Sequence, residues 1–293
     1  MLNNKEYLNR LFESDKPLII YKVTSGYNIY TDFSDRVLVN KMNIDKFIKK
    51  TLNSGKIKNQ FFDGYIGFFG YEICCDLIGI KIPKQKNQGF PKSIFYKPQT
   101  VIKVNKKILI KSNLKNFKSQ KNFKKNNKKF YFKNNFKVNL TLKQYSKLFN
   151  QFSKKIRQGE TYQIKICQKY RNKSTIDSIK FFWKLMKVNK SPESFLIRDK
   201  DYSIISCSPE TLLIRNKNQI ITKPIAGTLR KNSKTSLQKA KIIFKKNQKE
   251  NKEHNMIVDM ERNDLSKICK KRSVKIEKLK FVEEYKDLYH YVS

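Results

Sequence analysis

Alanine is almost missing from this 293-residue chain, occurring only at Ala226 and Ala240, and there are only nine glycines and one tryptophan. Arginine is scarce as well: nine residues, although Lys and Arg together number 65 against 24 Asp and Glu, a formal charge of +41. Nearly all the positive charge is therefore lysine. The abundant residues, Lys, Asn, Ile, Phe and Tyr, are those of AT-rich codons, and the missing ones belong to GC-rich codons. A drifting genome leaves that signature along a whole chain, whereas a nucleic-acid surface leaves a local one that includes arginine. The charge is read as codon bias, and no specific nucleic-acid partner is expected. Only two histidines occur, His254 and His290, in no H-x-x-H or H-E-x-x-H pattern, which excludes a zinc protease. The five cysteines are odd in number and contain no C-x-x-C, so neither a disulfide framework nor a zinc ribbon is indicated. Long apolar runs are absent too. The most apolar stretch, Tyr65 to Ile82, is interrupted by Glu72 and Asp76, and Met1 to Lys16 is too polar for a signal peptide. These absences leave a soluble, cytoplasmic chain with no membrane partner. With 39% hydrophobic and 13% aromatic residues, it is expected to fold.

What is present falls into three zones: 1–110, a Lys/Asn/Phe-rich linker or surface hairpin over 111–137, and 138–293. Strand-like runs in the first zone are Pro17–Val23, Val37–Asn40, Gly64–Gly70 and Thr100–Val104. In the third zone Thr141-x-x-Gln144 reads as a capping box that opens a helix, with an apolar stripe from Tyr145 to Ile156 and a stop at Gly159. Alternation over Thr161–Tyr170 predicts a strand, and a helix follows around Ile176–Val188. Short runs at Phe195–Arg198, Tyr202–Ser206, Thr211–Arg215 and Gln219–Lys223 predict an antiparallel meander turning at 199–201 and 216–218. A helical stretch over Ser233–Lys270 is expected to break near Asn247–Asn251. Val274–Glu277 and Leu288–Val292 read as strands.

Several of these segments carry possible chemistry. Glu250 and Glu253 share one helix face, either as a solvated charged face or as oxygen ligands for Mg²⁺. Glu210, in the turn Ser208-Pro209-Glu210, is an ordinary exposed acid or a rigidly held general acid. Pro224-Ile225-Ala226-Gly227-Thr228 is a simple connection or a loop whose N–H groups grip an anion.

Taken together, in this order and spacing, the segments resemble a known family. They are Gly159-Glu160-x-Tyr162-Gln163, Ser208-Pro209-Glu210, Pro224 to Thr228, Glu253-His254-x-Met256-Ile257-Val258-Asp259-x-x-Arg262-Asn263-Asp264-Leu265 and His290-Tyr291-Val292-Ser293. Their collinear match is to the large subunits of anthranilate synthase and aminodeoxychorismate synthase. Gly64 to Glu72 looks like the same family's glycine-rich strand. The resemblance implies an α+β fold of stacked antiparallel sheets with outer helices. Residues 1–110 match its N-terminal region and 138–293 the first part of its chorismate-binding catalytic domain. It also implies that chorismate is bound through Mg²⁺, that a nucleophile adds to the ring, and that the 4-hydroxyl leaves. By carry-over, Glu253 matches a direct Mg²⁺ ligand and Glu250 a nearby carboxylate. Glu210 matches the acid that assists departure of the hydroxyl, and His290 the histidine beside the ring. Ala226, Gly227 and Thr228 line the substrate site.

Within the family, water-using isochorismate and salicylate synthases carry a lysine base where this chain has Gln163. An amide cannot deprotonate water, so ammonia is the expected nucleophile. Ala226 fits anthranilate synthase, on the route to tryptophan. Many aminodeoxychorismate synthases, on the route to folate, have a lysine there, though some share the alanine. Anthranilate synthase is the preferred reading and aminodeoxychorismate synthase component I the alternative. No cysteine sits on a glycine-flanked elbow, so the ammonia is expected from a separate glutamine amidotransferase subunit. Relatives continue past the position of Ser293 with further substrate and metal groups. The expectation is therefore a C-terminally truncated, inactive form, against a noncatalytic remnant that binds a partner or nucleic acid.

Overall fold

The computed structural model describes residues 3–54, 62–83, 89–115, 117, 123, 124, 126, 129–233 and 235–293. Two compact units share the chain, one formed by 1–126 with 178–293 and the other by 127–177.

The first unit opens on α1 (Asn4–Glu13), held by a capping box: Asn3 Oδ1 accepts the Glu6 amide, and the Glu6 carboxylate accepts the Asn3 amide. β1 (Leu18–Val23) and β2 (Gly26–Leu38) then form a hairpin. Gly26 lies at φ +147°, and a Cβ there would sit 2.0 Å from the Val104 carbonyl oxygen, so only glycine closes the turn. The sequence alternation reached only the end of β2. Asp32 at φ +56° and a register shift between Phe33 and Asp35 break its period.

These strands belong to a seven-stranded antiparallel sheet. Its order is β3 (Ile66–Phe69), β4 (Ser93–Val104), β2, β1, β8 (Glu193–Arg198), β9 (Ser203–Ser208), with β5 (Ile108–Ser112) also on β4. Because β1 pairs with β8, the chain before residue 110 shares a sheet with the chain beyond 178. Alternation sends Leu18 and Ile20 to one face and Ile19 to the other. The first face packs with Ile29, Ile102 and Leu196 against α1 and against α5 (Ser178–Val188), through Leu11, Phe182 and Met186. Each such aliphatic burial stabilises by about 1.5–3 kcal/mol.

Much of the segment 111–137, including Lys125, Asn127 and Lys128, lies outside the described residues. Of its described aromatics, Phe117 and Phe123 serve the core, their rings 4.9 and 5.1 Å from that of Tyr7, whereas Phe130, Tyr131, Phe132 and Phe136 are exposed.

The expected meander is two separate hairpins. β8 and β9 pair in the large sheet, while among the described residues β10 (Ile214–Asn216) and β11 (Gln219–Ile221) pair only with each other, turning at Lys217 with φ +51°. A three-stranded sheet follows, in the order β12 (Ile225–Arg230), β14 (Leu288–Val292), β13 (Phe281–Glu284). Val274–Glu277 is no strand. Its side chains are mostly exposed, and the pairing falls to Phe281–Glu284, where Val282 packs on the core. α6 (Leu237–Lys246) and α7 (Gln248–Ile268) meet at Asn247, which ends one helix and caps the next through the Glu250 amide. Phe244 stacks on Tyr291 at 5.0 Å beneath them.

In the second unit α4 (Leu142–Arg157) starts at the expected Thr141–Gln144 box, and Gly159 follows at φ +77°. β6 (Phe136–Val138) pairs with β7 (Tyr170–Asn172). Of the expected strand Thr161–Tyr170 only Tyr170 is in a ladder. Residues 161–169 keep the alternation, with Ile164 and Ile166 half-buried between exposed neighbours, but have no ladder partner among the described residues. The α+β architecture of antiparallel sheets with outer helices stands, and no parallel pairing occurs among the described strands.

Candidate active site

β9 delivers the turn that carries Glu210. Ser208 Oγ accepts the Glu210 amide at 3.3 Å and donates to the Glu210 carbonyl at 3.1 Å, a local ring that a serine side chain is suited to close. Thr211 Oγ1 donates to Glu193 Oε1 at 2.6 Å. From this turn Glu210 Oε1 reaches across to accept the Ile225 amide at 2.9 Å. Glu210 thereby touches the start of the Pro224–Thr228 segment, fifteen residues away. A cavity of about 220 Å³ opens beside it, lined by Ser208, Glu210, Thr211, Lys223, Pro224 and Glu261 among others.

The segment itself is the irregular start of β12, with a register shift between Ile225 and Thr228. Ala226 is buried. Gly227 sits at φ +96°, and a Cβ on it would come within 2.8 Å of Glu250 Oε2 and 3.0 Å of the Phe244 ring. Only glycine lets a carboxylate of α7 lie against the backbone there. Thr228 pairs with His290 across the ladder, and its hydroxyl shares a hydrogen bond with His290 Nδ1 at 3.0 Å. Burial pushes the His290 pKa below its ordinary value; the Gly227 backbone and the charges of Glu283 and Glu210 oppose that shift.

Two residues not anticipated from the sequence flank His290, Glu283 and Tyr285, and a third, Lys223, bonds Glu283. Glu283, the partner of His290 across β13, accepts from Lys223 Nζ at 2.8 Å and from Tyr285 Oη at 2.7 Å. Burial by itself would raise the Glu283 pKa, but these two bonds hold it below the usual carboxylate value. The Tyr285 ring stands edge-on to His290, 4.9 Å away. No spacing signal in the sequence joins Lys223 to Glu283.

On α7, Glu250, His254, Val258 and Glu261 recur at helical spacing on the face toward β12. Glu253 lies three residues beyond Glu250 and is half-buried. His254 is fully buried, its Nε2 sharing a 2.7 Å hydrogen bond with Ser293 Oγ and its ring tilted on Tyr291. It is a packed histidine under the Ala226 loop, and burial lowers its pKa. Among the described residues no group of three or more His, Cys, Asp or Glu is arranged to hold a metal. The helix instead offers two hard carboxylates, one of them seated in the space that the missing Gly227 side chain leaves. That donor set suits Mg²⁺, which commonly takes one or two protein carboxylates and completes its shell with water and ligand oxygens.

The structure thus brings Glu210, Ala226, Gly227, Thr228, Glu250 and His290 together in the first unit, with Glu253 on the adjoining helix turn. Gln163 stands in the second unit, exposed on the extended stretch 161–169. No helix among the described residues is long and apolar enough to cross a membrane.

The chain is similar to known proteins. The chain is 29% identical to anthranilate synthase component 1 of Buchnera aphidicola subsp. Pemphigus spyrothecae, over 98% of this chain and 57% of that protein. It is 30% identical to aminodeoxychorismate synthase component 1 of Escherichia coli K12, over 56% of this chain and 36% of that one. The matched stretch is thus less than two thirds of either relative's own length. The crystal structure of anthranilate synthase component I from Streptococcus pneumoniae TIGR4 has a TM-score of 0.67 at 21% identity, covering 96% of this chain and 67% of that one. The menaquinone-specific isochorismate synthase of Escherichia coli has a TM-score of 0.63 at 11% identity, covering 97% and 65%. At those identities the likeness is one of fold. A family model described as chorismate binding enzyme matches residues 10–293, and the chain belongs to that family.

Proposed function

We propose that the protein serves as the large, aminating subunit of anthranilate synthase, converting chorismate and ammonia to anthranilate, pyruvate and water. The observation that carries this reading is the junction of Glu210 with the Ile225 amide, which sets a turn carboxyl beside a loop built for close approach, with His290 behind it. Residues 138–293 then contribute the first part of the catalytic domain. Glu210 holds the proton that the departing 4-hydroxyl takes with it as water. Thr228 and the backbone around Ala226 and Gly227 bind a substrate carboxylate, and His290, fixed by Thr228 and Tyr285, lies beside the ring. Glu253, with Glu250 near it, holds Mg²⁺. When bound, the ion offsets the charge of the dicarboxylate substrate and acts as a Lewis acid. Gln163 cannot serve as a base toward water, which leaves ammonia as the nucleophile. A separate glutamine amidotransferase subunit supplies that ammonia.

Aminodeoxychorismate synthase component I is the second reading, supported by the 30% identity to the Escherichia coli protein of that name. One assay separates the two. Full-length protein is incubated with chorismate, Mg²⁺ and ammonium, and the products are resolved by chromatography. Anthranilate with stoichiometric pyruvate supports the first reading, and aminodeoxychorismate without pyruvate supports the second. Unconsumed chorismate overturns both and favours a noncatalytic remnant.

A further inference from the structure

The far end of the turn that presents Glu210 is tied to the large sheet by the carboxylate of Glu193. Glu193 begins β8 directly across the ladder from Ser208, the last residue of β9. The chain leaves the sheet at Ser208, makes the Pro209-Glu210 turn, and passes Glu193 at Thr211, which lies outside any strand. There the Thr211 hydroxyl donates to Glu193 Oε1 at 2.6 Å. The other oxygen of the same carboxylate, Oε2, accepts from Tyr21 Oη at 2.6 Å. Tyr21 lies on β1, opposite Phe195 of β8. Both oxygens are thus engaged, one by the sheet and one by the turn. All three side chains are half-buried, and charge-assisted hydrogen bonds to a carboxylate are the stronger kind. The Tyr21 hydroxyl is pushed up to about 12, by burial first and then by its hydrogen bond to Glu193.

The tie matters because the rest of the turn is weakly held. Within it, Ser208 Oγ makes two longer hydrogen bonds, of 3.1 and 3.3 Å, to the Glu210 backbone. These bonds hold the turn at its Ser208 end, where β9 leaves the ladder, and the Thr211 end is held at Glu193. The Glu210 carboxylate itself makes its cross-chain contact with the Ile225 amide. A shift of Thr211 away from Glu193 carries Glu210 with it and breaks that contact.

We propose that Glu193 is a positioning residue for the Glu210 carboxylate, clamping the 208–211 turn to the β1–β8 edge through Thr211 and Tyr21. For catalysis this rests on the reading of Glu210 as the acid in chorismate turnover, but the positioning can be measured without turnover. The probe is hydrogen exchange at the Ile225 amide in the full-length protein, with Glu210→Ala marking the rate of the released amide. Glu193→Ala and Thr211→Val, the second nearly isosteric and removing only the hydroxyl, are both expected to move the Ile225 rate most of the way to that limit. Amides along β8 and β9 should keep their protection. Glu193→Gln, which can still bridge two hydroxyls, is expected to restore most of it. An Ile225 rate unchanged in Thr211→Val overturns the clamp, whether or not chorismate is consumed.

Given turnover, Glu193→Ala should lower kcat about 10- to 100-fold with KM for chorismate little changed, the scale expected for a displaced catalytic group. In a Glu210→Gln background the same change should cost nothing further. Additive losses would show that Glu193 acts by another route. Loss of the expected product with an intact Ile225 response would instead count against the chorismate reading alone.

Discussion

The two sheets of the first unit bury different chemistry. In the seven-stranded sheet Leu18, Ile20, Ile29, Ile102 and Leu196 are wholly buried on the face toward α1 and α5, which is aliphatic. Its buried charges stand at the end of β8. Arg198 donates there to the carbonyls of Leu11, Phe12 and Lys16, and Asp199 pairs with Arg36 and Tyr96. The three-stranded sheet buries His290 on its own middle strand and His254 on the helix above, with Glu210, Glu250 and Glu283 around it. The first arrangement derives its stability from area removed from water. The second gives some of that up to hold polar groups in fixed relation, and each of those groups must find a partner inside the fold.

That contrast can be broken by substitution. The largest effect belongs to the polar side. Glu253→Gln in the full-length protein should lower turnover by more than about 100-fold, since even outer partners of metal ligands cost 10–100-fold. A Mg²⁺ titration of activity checks it, and retained turnover would remove Glu253 from the metal site. Glu210→Gln should lower kcat by about 10²–10⁴-fold with Mg²⁺ dependence retained, as measured in the same assay. On the apolar side, Leu196→Ala should destabilise by about 2–5 kcal/mol in urea denaturation without a specific loss of activity per folded molecule. Gly227→Ala should cost about 1–3 kcal/mol, because it adds a side chain at φ +96° against Glu250, and it should weaken Mg²⁺ activation as well. The smallest effect is pH-dependent. His290 has a native pKa below its unfolded value of about 6.5, so the unfolded chain takes up its proton first. Its contribution to stability is complete above about pH 6.5 and declines as the pH falls from there toward the native pKa. Urea midpoints followed downward from about pH 7.5 should therefore fall less steeply in His290→Gln than in the parent.

Local signals were legible wherever the chain obeys one period. The capping box at Thr141–Gln144, the break at Asn247 and the strands at Leu18–Val23 and Leu288–Val292 all stand where the sequence suggests. Reading failed where the outcome depends on a distant strand. Val274–Glu277 and Thr161–Lys169 alternate as strands do, yet neither lies in a ladder among the described residues, whereas Phe281–Glu284 gains one from β14. The candidate site divides in the same way. Glu210, Gly227, Glu250 and His290 stand in recognisable segments, but Lys223, Glu283, Tyr285 and Glu193 carry no signature.

The family was legible from short motifs in a fixed order along the chain, and the Thr141 cap and the apolar alternation of β1 from residues a few positions apart. It took the folded chain to bring Glu193 to both Tyr21 and Thr211, Lys223 to Glu283, and the Glu250 carboxylate against Gly227. Such contacts join segments between 18 and 172 residues apart. They are set by strand register and by the space one missing Cβ leaves, neither of which a local pattern encodes.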